Sequence, residues 1–345
     1  MRLPRKSFFS VVLLLSISTS GWSAETRTIS QEKLRDKIYG YWIGQLAGNY
    51  MGFPFENLYL DEPIPIDIDR YFDFRDAEKF GLKMNLNDRR SYTRIMADAM
   101  GGAWSDDDTD IEFVTLHALE KYGLDLNYAE ITEMWKQHIN RFIWSASRKA
   151  RDLMEEGMLP PATGARENNE YWYRITSQLM NEIWGVIYPG ITHKAAERSE
   201  WGARIMTDSW ATHPDIVYGV MYSAAIFEDD PEKLVRLAMN YIPEESPFLR
   251  GMADLLQWRK EEDDWRVVRK RMHDKYATEI DGFEIPYPVG GAVINGLASI
   301  LAILYGEGNF VKTVSIAVSA GYDCDNQAAT CGGLLGIIDG GSSIP

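Results

Sequence analysis

Gly40, Gly44, Gly48 and Gly52 recur every four residues in "GYWIGQLAGNYMGFPFE". On a helix that spacing places all four on one face, and each glycine costs roughly 1 kcal/mol against alanine. A helix carrying such a stripe needs a neighbour that approaches it closely along that face. Glycine spacing of this kind also serves dimers in a lipid bilayer, but Gln45, Asn49 and Glu56 in the same stretch favour a packing groove in a water-soluble fold. Leu34, Ile38, Tyr41 and Trp42 supply the helical period, and Ser30 is placed to cap its start.

The same period recurs along most of the chain. Ile111, Val114, Ala118 and Tyr122 mark a second helix, with Thr109 and Glu112 spaced as a capping box at its start. Further helices are predicted at 129–156, 170–187, 193–206, 215–228, 231–241, 247–258, 263–277, 290–305 and 309–320, whereas alternating strand-like runs are scarce. With 345 residues, 45% of them hydrophobic, the chain can bury a substantial core. The expectation is a single all-α domain over 25–345, a compact multi-helix bundle. Within it, 57–95, carrying "EPIPIDID" and "MNLNDRR", is an irregular insertion or small subdomain, too long for a plain connection.

Residues 1–24 differ from the rest. Arg2, Arg5 and Lys6 precede an apolar run from Phe8 to Ile17 and small residues up to Ala24, the pattern of a cleavable signal peptide. The run is about half the roughly 20 residues that a membrane span requires, so no stable membrane insertion is expected and the mature protein is expected to be secreted or periplasmic. Loss of those three bases and no acid takes the formal charge from -15 to -18. That charge argues against nucleic acid as a partner. Cys324 and Cys331, seven residues apart on a helix, lie beyond disulfide reach; a bridge would require the helix to start after Cys324.

Two acidic clusters carry the chemistry. "WSDDDTDIEF" sets Asp106, Asp107 and Asp108 side by side, and "SAGYDCDNQAATCGGLLG" holds Asp323, Asp325 and Asn326. Adjacent side chains diverge on a helix and on a strand. They converge only in a turn, and a helix N-terminus following the turn favours anions. One aspartate suffices as a cap, so three in a row point to a cation. Together the clusters offer hard oxygen donors and enough charge for two Mg²⁺ or Mn²⁺ ions. Other metal sites fail on spacing: a calcium loop starting at Asp106 would meet Ile111 and His117 where glycine and glutamate are required, and zinc, phosphate-loop and nucleophile-elbow motifs are missing.

Taken in order, "GNYMGFPFE", "DDDT" and "GYDCDNQAATCGGLLG" resemble the ADP-ribosylglycohydrolase family, whose pattern runs "GDAxGxPxE", "TDDT" and "GGDTDTNAAxxGxxxG". "ILYGEGNF" ahead of the last motif is similar too, so the resemblance covers about residues 33–340. It implies metal ligands at Asp106, Asp107, Asp108, Asp323, Asp325 and Asn326, a catalytic carboxylate at Glu56 and a substrate-binding position at Asn49. It also implies a small-molecule or ADP-ribosylated substrate, cleaved at a glycosidic bond with the help of Mg²⁺ or Mn²⁺. Three positions depart from the pattern: Asn49 stands for Asp, Asp106 for Thr, and Asn326 for Thr or Ser. Export leaves two alternatives open, a hydrolase of an extracellular glycan or N-glycoside and a metal-binding or ligand-binding relative without turnover. Tyr171, Trp172 and Tyr173 are aromatic enough to stack on a sugar or a base, although most of the tryptophans are expected in the core.

Overall fold

Ser30 accepts a hydrogen bond from the backbone N–H of Lys33 at 3.1 Å and so starts the first helix where the sequence predicts. In the computed structural model, which describes residues 26–85, 107–140, 143–286 and 290–345, that helix is the first of fourteen among the described residues. They are α1 (Gln31–Gly52), α2 (Phe74–Phe80), α3 (Asp107–Tyr122), α4 (Tyr128–His138), α5 (Ser145–Glu155), α6 (Ile183–Ile187), α7 (Thr192–Ala203), α8 (His213–Ala225), α9 (Pro231–Ala238), α10 (Pro247–Glu261), α11 (Trp265–Tyr276), α12 (Ala292–Gly306), α13 (Phe310–Ser319) and α14 (Cys324–Asp339). The described strands are two residues each, Glu279–Ile280 paired antiparallel with Phe283–Glu284. The all-α expectation holds.

The glycine stripe finds its neighbour at the other end of the chain. A Cβ placed on Gly40, Gly44 or Gly48 would collide with the carbonyl of Gly336, Gly332 or Ala328 respectively, and Gly332 and Gly336 meet the α1 backbone in return. Thus α1 and α14 run antiparallel with their backbones in contact. Lys37 completes the seam. It is buried, and its ammonium donates to the carbonyls of Ile337 and Ile338 at 2.7 and 3.0 Å, capping the negative end of α14. Every residue of α12 is buried, as expected of a helix apolar all round, and it packs against α10, α11, α13 and α14 at the centre of the larger core.

Several expected boundaries move. The helix expected over 129–156 is two, α4 and α5. The Arg151 guanidinium of α5 donates to the carbonyls of Trp135, Lys136 and Ile139, closing the C-terminal end of α4. The stretch expected to be helical over 170–187 is a 3₁₀ turn, Ile175–Met180, followed by α6. Here Asn181 turns its amide inward to Asp215 at 2.8 Å rather than continuing the helix. The described part of 57–95, residues 57–85, is largely irregular with one short helix, and it buries Ile64, Ile68 and Phe72 in the main core. Arg269, fully buried, straps it down by donating to the carbonyls of Leu60, Asp61 and Ala320. Cys324 opens α14, and both cysteines are buried and free. The expected signal peptide lies outside the described residues, and no helix among them is long and apolar enough to cross a membrane.

Candidate metal and active site

Gly52, the last of the four glycines, brings the end of α1 against the start of α14. A Cβ there would sit 2.5 Å from the backbone nitrogen and 2.8 Å from the Cβ of Asp325. After Gly52 the chain makes a 3₁₀ turn, Phe53–Phe55, and delivers Glu56 to the same place. Glu56, Asp323 and Asp325 each offer a carboxylate oxygen, and these oxygens all lie within 4.8 Å of one another. Asp323 occupies the N-cap position of α14 and Asp325 its first turn, where the helix dipole favours negative charge.

The turn that carries Glu56 is fastened to the turn that carries Asp323. The backbone N–H of Asn57 donates to the Tyr322 carbonyl, and that of Tyr322 to the Tyr59 carbonyl, both at 2.9 Å. Asn57 and Tyr322 adopt φ of 61° and 64°, a left-handed conformation that side chains other than glycine seldom take. The Asn57 amide also donates to Glu56 Oε1 at 2.9 Å. From the far side, Asn295 of α12 accepts from the Asp323 backbone N–H at 3.2 Å and from the Gln327 amide at 2.7 Å.

Asp108 joins the two acidic clusters. It lies in the first turn of α3, buried, and its carboxylate accepts from the Asn49 amide at 2.7 Å and from the Asn326 amide at 3.2 Å. Asp108 and Asn326 are 218 residues apart in sequence. Asp107 opens α3 at a half-buried position, and Asp106 lies outside the described residues. Of the expected site residues, the structure therefore brings together the carboxylates of Glu56, Asp323 and Asp325, with Asn49, Asp108 and Asn326 forming a hydrogen-bonded trio beside them.

The electrostatics of the cluster suit a cation. Burial, followed by the charges of Glu56, Asp108 and Asp323, pushes the Asp325 carboxyl well above its ordinary range. Asp325 is 2% exposed, and its Oδ1 has no hydrogen-bond partner among the described residues. An ionised oxygen so placed loses water without compensation unless a proton or a cation meets it. The donors are all oxygens, the set that hard divalent cations prefer. Glu56, Asp323 and Asp325 fit such an ion and are the residues that would hold it, with Asp108 beside them.

The chain matches the family model for ADP-ribosylglycohydrolase over residues 30–345. It belongs to the ADP-ribosylglycohydrolase family. Among 44 matching chains of solved structures is an ADP-ribosylglycohydrolase-related protein complex, which is 15% identical to this chain and shares its fold with a TM-score of 0.59 over 91% of each chain. No curated protein matches it significantly. Membership in the family makes the general activity class hydrolysis of a glycosidic bond.

Sequence reasoning did not find everything. Glu112 is not the partner of a capping box. It is fully buried, accepting from the Tyr41 hydroxyl, the Gln45 amide at 3.0 Å and the Ile183 backbone N–H at 2.9 Å. Thr109 leaves its hydroxyl without a partner among the described residues. Burial pushes the Glu112 carboxyl up to about 7 and raises that of neighbouring Glu182 well above its usual range. Asp215, held by Asn181 and by the Ser177 hydroxyl, is likewise pushed up to about 7 by burial. The ionisable character of Glu112 within an apolar stripe was the available signal. Trp172 and Tyr173 are buried against Trp210 and Phe283, so of the three consecutive aromatics only Tyr171 retains substantial exposure, with the Arg174 guanidinium 5.3 Å from its ring.

Proposed function

We propose that this family member is an exported, divalent-cation-dependent hydrolase that removes ADP-ribose from a protein side chain by cleaving its glycosidic bond. The observation that supports this most directly is the meeting of the Glu56, Asp323 and Asp325 carboxylates, with Asp325 Oδ1 buried and without a hydrogen-bond partner among the described residues. When bound, Mg²⁺ or Mn²⁺ supplies positive charge that polarises a sugar hydroxyl and a water. The cluster and Asp108 carry enough charge for two such ions. Asn57 fixes one oxygen of Glu56, which orients the carboxylate to accept a proton from the attacking water or a sugar hydroxyl. The bond then breaks through an oxocarbenium-like state, water oxygen bonds to the anomeric carbon, and the proton taken up by Glu56 passes on to the departing side-chain atom. Asn49, held at the edge of the cluster, is the residue assigned to the substrate. The leader read in residues 1–24 supports export.

The test is to incubate purified protein, from residue 25 onward, with ADP-ribosylated protein in Mg²⁺, Mn²⁺ or EDTA and to measure free ADP-ribose. Release with either ion and loss in EDTA is the expected result. Reducing sugar released from glycans instead would transfer the reading to an extracellular glycan or N-glycoside. No release from any substrate by metal-loaded protein would mark a binding relative without turnover. N-terminal sequencing of protein recovered from the periplasm or medium checks cleavage after Ala24.

A further inference from the structure

We infer that the two halves of the acidic site bind cations unequally: one divalent ion tightly at Glu56, Asp323 and Asp325, and a second only weakly at Asp108, because Asn49 and Asn326 occupy Asp108 in its place. This rests on the cation-dependent reading above and specifies how that site is loaded.

The argument begins with what an ionised carboxylate can do. It only accepts, so each neighbouring amide must turn its NH₂ group toward it. Asn49 meets Asp108 Oδ2 at 2.7 Å and Asn326 meets Oδ1 at 3.2 Å, so both oxygens of Asp108 receive a protein donor. Asn49 is fully buried, and its own Oδ1 has no partner among the described residues. Its amide is therefore committed to Asp108 at the expense of its carbonyl oxygen. A cation arriving at Asp108 must displace or compete with these donors. On the other side the Asn57 amide takes one oxygen of Glu56 at 2.9 Å, but Asp325 Oδ1 is buried and has no hydrogen-bond partner among the described residues. Attraction at the two places thus differs in kind: at Asp325 an ion meets a buried oxygen with no donor among the described residues, whereas at Asp108 it replaces hydrogen bonds already made.

Charge points the same way. An aspartate at position 49 would place a second carboxylate 2.7 Å from Asp108, a pair that needs either a proton or a shared cation. Asparagine of the same shape removes that requirement. The two amides therefore let the Asp108 side remain closed without metal while the Asp325 side still needs it.

The experiment is Mn²⁺ titration of metal-free protein, followed by calorimetry and by the paramagnetic resonance of unbound Mn²⁺, with no substrate present. Expected is one tight ion and a second weaker by roughly tenfold or more. Asn49→Asp is expected to strengthen the second ion by roughly tenfold while leaving the first nearly unchanged, and to lower the melting temperature of metal-free protein in a way that Mn²⁺ restores. Asn326→Ser, which frees one oxygen of Asp108 with little change in charge, gives a second reading that does not depend on Asn49→Asp folding without metal. It is expected to strengthen the weaker ion as well. Two ions of equal affinity in the unaltered protein, or an Asn49→Asp variant that folds and shows the unaltered second affinity, would overturn the inference while leaving the cation-dependent reading intact. Uptake of no ion at all would overturn both.

Discussion

Asn57 donates its backbone N–H to the carbonyl of Tyr322 at 2.9 Å, so the residue after Glu56 is tied to the residue before Asp323. Two carboxylates that would repel each other in water are thereby held together by main chain rather than by their own side chains. Replacing Glu56 by glutamine keeps the size of the side chain and removes one charge and its proton acceptor. Glu56→Gln is expected to lower the hydrolytic rate by roughly a hundredfold or more with an unchanged far-ultraviolet circular dichroism spectrum. Release of ADP-ribose or reducing sugar under metal saturation measures it, and near-normal turnover would remove Glu56 from the chemistry.

Gly52→Ala tests how the seam positions the site. The added methyl meets the backbone of Asp325 itself, so α1 or α14 must shift. A cost of roughly 1–3 kcal/mol is expected from overpacking, together with weaker Mn²⁺ binding. Gly44→Ala, which meets Gly332 a turn or more away from the acids, should cost comparable stability and disturb the first-bound ion less. Thermal melts paired with Mn²⁺ titration of both variants separate the two effects, and equal loss of affinity in both would contradict local positioning.

Arg269→Met preserves bulk and removes a charge that serves three carbonyls, those of Leu60, Asp61 and Ala320. Its guanidinium also lies 4.3 Å from the ring centre of Tyr322. Stranding those carbonyls is expected to cost roughly 3 kcal/mol, measured by urea denaturation. Because the Tyr322 turn loses its backing, Mn²⁺ affinity should fall as well. A variant as stable as the parent protein would show that water satisfies the carbonyls.

Asp215 predicts the direction of pH dependence. Its folded carboxyl titrates near about 7 because of burial, against an ordinary 3.8. The fold therefore favours the protonated form. Its contribution to stability is full below about pH 4, is lost as pH rises toward 7, and amounts in full to something on the order of 4 kcal/mol. Glu112 and Glu182, raised in the same direction, act with the same sign. Asp215→Asn should consequently show a shallower fall in melting temperature between pH 5 and pH 8 than the parent protein. Parallel curves would mean that Asp215 stays ionised across that range.

Much of this arrangement could be read from the chain because it depends on small residues and on charge. Four glycines at one spacing announced a backbone contact, and the carboxylates at the two helix starts announced that the two clusters would meet. Which acids would lie nearest one another was not legible, since Asp108 and Asp325 are placed by the packing of α3 and α14 and not by local sequence. The bond between Asn49 and Asp108 was hidden for the same reason. Glu112 matched a capping pattern three residues after Thr109, but Tyr41 and Gln45 from another helix claimed its carboxylate. Local spacing also could not foresee the break between α4 and α5, where Arg151 closes the carbonyls of the preceding helix. The left-handed backbone at Asn57 and Tyr322 leaves little trace in residue type at Tyr322.

The seam between α1 and α14 joins segments with nearly all the other described elements between them. During synthesis α1 leaves the ribosome well before α14 and waits, its glycine face uncovered, until α14 has been made. Closure of so large a loop carries an entropic penalty, and contacts so distant in sequence slow folding. A chain without α14 therefore lacks Asp323 and Asp325 together with the partner of its glycine face.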